Sequence, residues 1–145
     1  RLKNSRESLS KLADTAEKFN AVICVEDLPR TCLGNCFEEM NFLTAEDERI
    51  KVCFDTNHIV VEKPEEVIRK LKDKIITLHI SDFDFIDEKH WIPGDGKIDW
   101  KQILEALNEI NYSGVWMYEA QFQSLNTKLS ISDFKDNYAH IKNII

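Results

Sequence analysis

The chain has 145 residues, of which 43% are hydrophobic and 31% are charged, and its formal net charge is −7. This length and composition are typical of a globular domain and exclude a disordered, collagen-like or coiled-coil chain. No run approaches the roughly 18 consecutive apolar residues of a membrane span, and the first residues lack the apolar stretch of a signal peptide. We therefore expect a single domain over residues 1–145 and a cytoplasmic location.

In chain order, the sequence predicts helices that alternate with short apolar strands. Apolar residues at three- and four-residue steps indicate a first helix over residues 5–19, with Asn4 or Ser5 as its N-cap. Further helices are predicted at residues 36–42, 64–71, 100–110 and 132–144. Four apolar runs are typical of buried parallel strands, at residues 21–25, 50–54, 75–78 and 115–118. The alternation predicts an α/β fold with a parallel sheet, and the long irregular stretch over residues 81–99 is expected to be functional.

The four cysteines predict free thiols rather than a zinc site or a disulfide framework. Cys24 and Cys53 lie inside apolar strand-like runs, where small buried thiols are common. Cys32 and Cys36 have no matching second pair, so we expect no structural zinc site.

A residue that can ionise or bind a metal ion follows directly after each predicted strand. These residues are Glu26, Asp55, His79 and Glu119. In parallel α/β folds, ligands bind beyond the carboxyl ends of the strands. Three carboxylates and one imidazole suit Mn²⁺, Mg²⁺, Co²⁺ or Zn²⁺. Each residue alone could be a helix cap or a solvated loop residue, but the same position on four strands indicates one divalent metal centre.

Two further histidines are candidates for the same cavity. His58 follows Asp55 by three residues, where a strand gives way to a loop, and it could bind metal or donate a hydrogen bond to a bound hydroxyl. The alternative is an ordinary surface histidine. His90 lies in the long loop after His79 and could close over the site, although it could also form a solvated charged loop with its acidic neighbours.

The segments that carry these residues resemble, in order and spacing, the xylose isomerase-like TIM-barrel superfamily. The matching segments are residues 25–29, 54–58, 78–82, 90–100 and 114–119. The resemblance covers essentially the whole chain, and its most specific part is the series Asp-Thr-x-His, His-x-x-Asp and Pro-Gly-x-Gly-x-Ile-Asp-Trp. It implies the C-terminal half of a (β/α)₈ TIM barrel, with four parallel strands alternating with helices. We expect the chain, which lacks an initiator Met, to be part of a longer protein.

The resemblance also implies an activity. In the epimerase branch, Glu26, Asp55, His79 and Glu119 would hold a divalent metal ion, and His58 would contact the substrate. His90 remains a second substrate-binding candidate because of its place in the long loop. Glu26 and Glu119 would act as the acid/base pair that removes a proton next to a carbonyl and returns it. The implied function is a metal-dependent isomerase or epimerase acting on a sugar, a sugar phosphate or a small hydroxy-carbonyl compound.

The endonuclease IV branch of the same superfamily is the alternative. It uses three zinc ions and an Asp-x-His pair in the loop after the seventh strand, where this chain has Glu88-Lys89-His90. The net charge of −7 disfavours nucleic acid as a partner, because binding to the phosphate backbone depends mainly on Lys and Arg. The sequence therefore favours a small-molecule isomerase over a nuclease.

Four strands cannot close an eight-stranded barrel, so we expect two open sheet edges and a broad apolar face. The edges predict either a homodimer or a chain completed by other segments of a longer protein. In both cases we expect the isolated chain to be nearly inactive. Beside the isomerase and the nuclease, the third possible function is that of a descendant of the fold that only binds metal or sugar.

Overall fold

The computed structural model describes residues 1–144, and within them it contains a four-stranded parallel sheet with the strand order β1-β2-β3-β4. The strands are β1 (Ile23–Glu26), β2 (Ile50–Asp55), β3 (Ile75–Ile80) and β4 (Val115–Tyr118). The helices are α1 (Leu2–Glu17), α2 (Phe37–Thr44), α3 (Pro64–Leu71), α4 (Trp100–Glu109) and α5 (Ile131–Lys142). The predicted α/β fold, with four parallel strands alternating with helices, is confirmed.

Most element boundaries lie within two residues of the prediction, with the start of α1 as the exception. The helix begins after Arg1 rather than after Asn4 or Ser5, because no proline or glycine upstream stops it from extending. It ends at Glu17, shortly before Asn20 adopts a left-handed φ of 53°. A short antiparallel pair, β5 (Gln123–Ser124) and β6 (Thr127–Lys128), was not predicted because two-residue strands carry no periodic signal. None of the helices in residues 1–144 is long and apolar enough to cross a membrane.

The core lies between the sheet and its helices. Val52 and Phe54 of β2 and Leu78 of β3 are completely buried and belong to one hydrophobic cluster with residues of α3 and α4. Because side chains alternate along a strand, the residues between them point to the opposite, concave face of the sheet. Asp55 and His79 lie on that face and are paired in register across β2 and β3.

The concave face is exposed to solvent at both outer strands, β1 and β4. Val115 and Met117 of β4 are 62% and 49% exposed, and Cys24 of β1 is exposed as well. The expectation that Cys24 is a buried thiol is therefore wrong, whereas Cys53 is buried. In the sheet of residues 1–144, β1 pairs only with β2 and β4 pairs only with β3, so both outer strands have a free edge.

Asp82 organises the long loop between β3 and α4. Its Oδ1 accepts hydrogen bonds from the backbone N–H groups of Phe83 and Ile98, at 2.8 and 3.1 Å. Its Oδ2 accepts from the Gly94 N–H and the Trp100 indole N–H, both at 2.8 Å. The carboxylate is completely buried, so it ties the beginning of the loop to its end in a place that water does not reach.

Replacing Asp82 should destabilise the chain more than replacing an exposed aspartate. In Asp82→Asn, an amide NH₂ would face two of the four N–H donors, and we expect the free energy of unfolding to fall by about 2 to 4 kcal/mol. Urea denaturation followed by circular dichroism measures the change. Asp136→Asn, on the exposed side of α5, is the matched control and should change it by less than about 0.5 kcal/mol. Equal stability of the two variants would contradict the role of Asp82.

Candidate metal centre

The structure brings the four strand-end residues together at one rim of the sheet. Glu26 and Asp55 are the last residues of β1 and β2, His79 is the penultimate residue of β3, and Glu119 directly follows β4. One ligand atom from each of them lies within 4.8 Å of the others. The parallel strands cause this convergence, because their carboxyl ends all meet the same edge of the sheet.

Three carboxylates surround a single nitrogen of His79. Its Nδ1 lies 2.9 Å from Glu26 Oε1, 2.6 Å from Glu119 Oε2 and 3.9 Å from Asp55 Oδ2. One imidazole nitrogen carries at most one proton, so it can donate to only one of these oxygens. The group therefore holds more negative charge than its own hydrogen bonds can compensate.

Asp55 is the most deeply placed member of the group. Its side chain is 0% exposed, and Oδ1 accepts a hydrogen bond from the Asn57 N–H at 2.7 Å. Its Oδ2 is buried without a hydrogen-bond partner among the described residues. Burial is the main cause that raises the pKa of Asp55, to about 6. A buried, unpartnered carboxylate oxygen facing an imidazole and two further carboxylates is an arrangement that a divalent cation satisfies, so the residues fit a metal ion.

Asp27 supports this group, and the sequence reasoning did not single it out. It is completely buried, and its Oδ1 accepts a hydrogen bond from the Asp55 N–H at 2.7 Å. Burial, followed by the nearby charge of Asp55, raises the pKa of Asp27 well above its ordinary range. The backbone oxygen of Asp27 also lies 2.7 Å from His58 Nδ1. Asp27 thus positions two of the predicted site residues, but an acid that follows a strand-end glutamate resembles an ordinary solvated residue in the sequence.

The predicted substrate-binding histidines lie beside the four-residue group. His58 is 5% exposed and donates from Nδ1 to the Asp27 carbonyl, which leaves Nε2 facing Asp55 Oδ2 and Glu88 Oε1, each at 3.8 Å. His90 Nε2 lies 2.8 Å from Glu88 Oε1, and His90 Nδ1 lies 2.8 Å from the Glu119 carbonyl. Burial opposes a charge on His90, but these two contacts and the nearby charges of Asp55 and Glu119 together raise the pKa of His90. His58, Glu88 and His90 form a second set of ligand atoms within 4.8 Å of one another.

Comparisons with known proteins agree with the fold. The family described as xylose isomerase-like TIM barrel matches residues 1–141. D-psicose 3-epimerase of Enterocloster bolteae is 30% identical over 118 residues, which cover 77% of this chain and 38% of that protein. Inosose dehydratase of Lacticaseibacillus casei is 29% identical over 133 residues, covering 78% and 45%. A solved structure of the IOLI protein with a bound zinc atom has a TM-score of 0.80 at 26% identity, covering 97% of this chain and 55% of that one. The chain thus spans less than half of these two curated relatives and about half of the solved structure.

The burial of Asp55 predicts that this residue weakens the metal-free chain. The unfolded carboxyl ionises at about pH 4, whereas the folded carboxyl ionises only at about pH 6, so the penalty is complete above about pH 6 and absent below about pH 4. Asp55→Asn should therefore raise the free energy of unfolding by roughly 1 to 3 kcal/mol at about pH 7.5, and the gain should vanish at about pH 4.

Urea denaturation in the presence of EDTA measures this gain, with Asp73→Asn at an exposed position as the control. The same variant should lose most of the stabilisation that added Zn²⁺ gives to the unsubstituted chain. A less stable Asp55→Asn chain at about pH 7.5 would show that the buried carboxylate is compensated without a cation.

Proposed function

The chain belongs to the xylose isomerase-like TIM-barrel family, and we propose that it carries the metal-dependent proton-transfer site of a sugar isomerase or epimerase. The observation that carries the proposal is the convergence of Glu26, Asp55, His79 and Glu119 on one point of the concave face. The similarity to a D-psicose 3-epimerase and to an inosose dehydratase supports a small sugar or a related polyol derivative as the substrate.

The four residues differ in exposure in a way that suits two roles. Asp55 is 0% exposed and His79 is 22% exposed, so we assign both as ligands that hold the ion. Glu26 and Glu119 are 33% and 45% exposed and come from the two outer strands of the sheet. They can reach a substrate in the cavity while still contacting His79.

Isomerisation or epimerisation next to a carbonyl needs one group that takes a proton from carbon and one that returns a proton. We assign these steps to Glu26 and Glu119, which approach His79 Nδ1 from β1 and from β4 respectively. Mn²⁺, Mg²⁺, Co²⁺ or Zn²⁺ held by the four residues would supply a Lewis acid that polarises the substrate's oxygens. We assign the binding of the substrate's hydroxyl groups to His58 and His90, which lie on the neighbouring loops.

A second candidate function rests on the other ligand set, which comprises His58, Glu88 and His90. Two imidazoles and a carboxylate suit Zn²⁺. The set adjoins the first group, because His58 Nε2 lies 3.8 Å from Asp55 Oδ2. Two or more adjacent ions are typical of metal-assisted phosphodiester hydrolysis, as in the endonuclease IV branch. The net charge of −7 opposes nucleic-acid binding, so we rank this function second.

Glu119 provides the direct test of the proposed metal centre. Glu119→Gln keeps the backbone carbonyl that contacts His90 but replaces a carboxylate ligand and base by a neutral amide. We expect the affinity of the 145-residue chain for Mn²⁺ to fall by at least about tenfold, since even the loss of a group that only hydrogen-bonds to a ligand costs this much. Isothermal titration calorimetry measures the affinity.

Glu7→Gln, on the exposed face of α1, is the matched control and should leave the affinity unchanged. Incubation with a ketohexose in D₂O provides a second measurement, because deuterium uptake next to the carbonyl reports proton transfer even when turnover is slow. Unchanged Mn²⁺ affinity in Glu119→Gln would remove Glu119 from the set of ligands.

We also predict that the 145-residue chain alone turns over substrate at least about 100-fold more slowly than a full-length relative. The concave face that carries the site is open at β1 and β4, so contacts that would hold a substrate on the far side are absent from residues 1–144. Ketose epimerisation with Mn²⁺, measured beside the Enterocloster bolteae D-psicose 3-epimerase, tests this prediction. Comparable rates would show that the four described strands suffice.

A further inference from the structure

Arg30 connects two loops across the end of β2. It lies in the loop between β1 and α2, and its guanidinium pairs with Asp87 and Glu88 in the loop between β3 and α4. Because β1 and β3 flank β2, this contact passes over the carboxyl end of β2, where His58 is almost completely buried. Arg30 therefore lies above the second ligand set rather than on a remote surface.

The contact determines which way the Glu88 carboxylate points. Arg30 Nη2 donates to Oε2 of Glu88 at 2.8 Å. The other oxygen, Oε1, lies 2.8 Å from His90 Nε2 and 3.8 Å from His58 Nε2. Since a carboxylate is planar, a guanidinium that holds one oxygen aims the other, in this case toward the two imidazoles.

Both ends of this connection are anchored by other contacts. The Asn35 side-chain amide donates to the carbonyl of Arg30, which has a left-handed φ of 59°. On the other side, the Lys89 N–H donates to Asn57 Oδ1 at 3.2 Å, which ties the Glu88 loop to the loop that follows β2. The guanidinium and the carboxylate therefore meet between two backbone segments that are already held in place.

We propose that Arg30 is a positioning residue, which orients Glu88 so that this carboxylate completes a three-ligand cation site with His58 and His90. The proposal rests on the proposed metal-dependent function and on its second ligand set, because it requires a second ion. An ordinary exposed ion pair would contribute little, and Arg30 is 57% exposed. A positioning role differs from a purely structural one because it predicts a large effect on one ion and a small effect on stability.

Titration of the 145-residue chain with Co²⁺, followed by visible absorption, measures the number of ions, their affinities and their coordination. We expect two ions to bind to the unsubstituted chain. In Arg30→Met, which keeps an apolar stem but removes the guanidinium, the affinity of one ion should fall by about tenfold or more, and its absorption band should shift. The affinity of the other ion should stay within about twofold. Arg30→Lys should restore part of the loss, because an ammonium group can pair with Glu88 without the planar fork of arginine.

The matched control is Arg69→Met. Arg69 makes a two-point contact with Glu109 between α3 and α4, away from the site, and its loss should leave both ions unaffected. Glu88→Gln removes the charge of the proposed ligand itself and should cause the same loss of affinity as Arg30→Met. It therefore tests the same site if Arg30→Met does not fold.

Each other outcome overturns a definite part of the proposal. Two ions with unchanged affinities in Arg30→Met would show that Glu88 needs no positioning. A single ion in the unsubstituted chain would overturn the second site and the role of Arg30, while the four-residue metal centre stands. No bound Co²⁺ at all would overturn the proposed function itself.

Discussion

The structure depends on one unfavourable placement, the burial of the Asp55 carboxylate at the end of the central strand β2. Strands on both sides and the loop after β2 remove this group from water, and one of its oxygens has no hydrogen-bond partner among the described residues. Burial of an uncompensated charge is expensive in free energy. His58 and the Asn57 N–H relieve it only in part, while Glu26, Asp27 and Glu119 add further carboxyl groups around the imidazoles. The arrangement makes chemical sense when a cation supplies the missing charge.

Contacts elsewhere in the molecule hold the Asp55 carboxylate in this buried position. Asp27 ties β1 to β2 by accepting from the Asp55 N–H, and its carbonyl fixes the ring of His58. Asp82 accepts hydrogen bonds from four N–H groups and attaches the long loop to the N-terminus of α4. Arg30 then joins that loop to the one after β1. The loops around the site are therefore attached to each other as well as to the sheet, and this rigidity is what a preorganised metal site requires.

The sequence predicts the strand-end residues well because their signal is local. An apolar run followed by an ionisable residue indicates a strand and its carboxyl end, and parallel strands then bring Glu26, Asp55, His79 and Glu119 together without further information. The supporting residues could not be found in this way. Asp27, Asp82 and Arg30 act through partners up to 58 residues away. Asp82 closes the His-x-x-Asp motif, but the motif does not indicate the four N–H groups that it accepts from. The prediction for Cys24 was wrong for a related reason, since an apolar run does not tell which of two strand faces is covered.

The number and positions of the helices limit what can complete the sheet at its two free edges. In a closed (β/α)₈ barrel, one helix covers each gap between neighbouring strands. Within residues 1–144, five helices accompany the four strands of the parallel sheet, with α1 packed beside β1 and the aromatic residues of α5 packed against Trp116 and Tyr118 of β4. If two copies joined β4 to β1, α5 of one and α1 of the other would have to share a single gap at each junction. A complement of four strands and three helices has no such conflict, so the two alternatives that the sequence leaves open place different demands on α1 and α5.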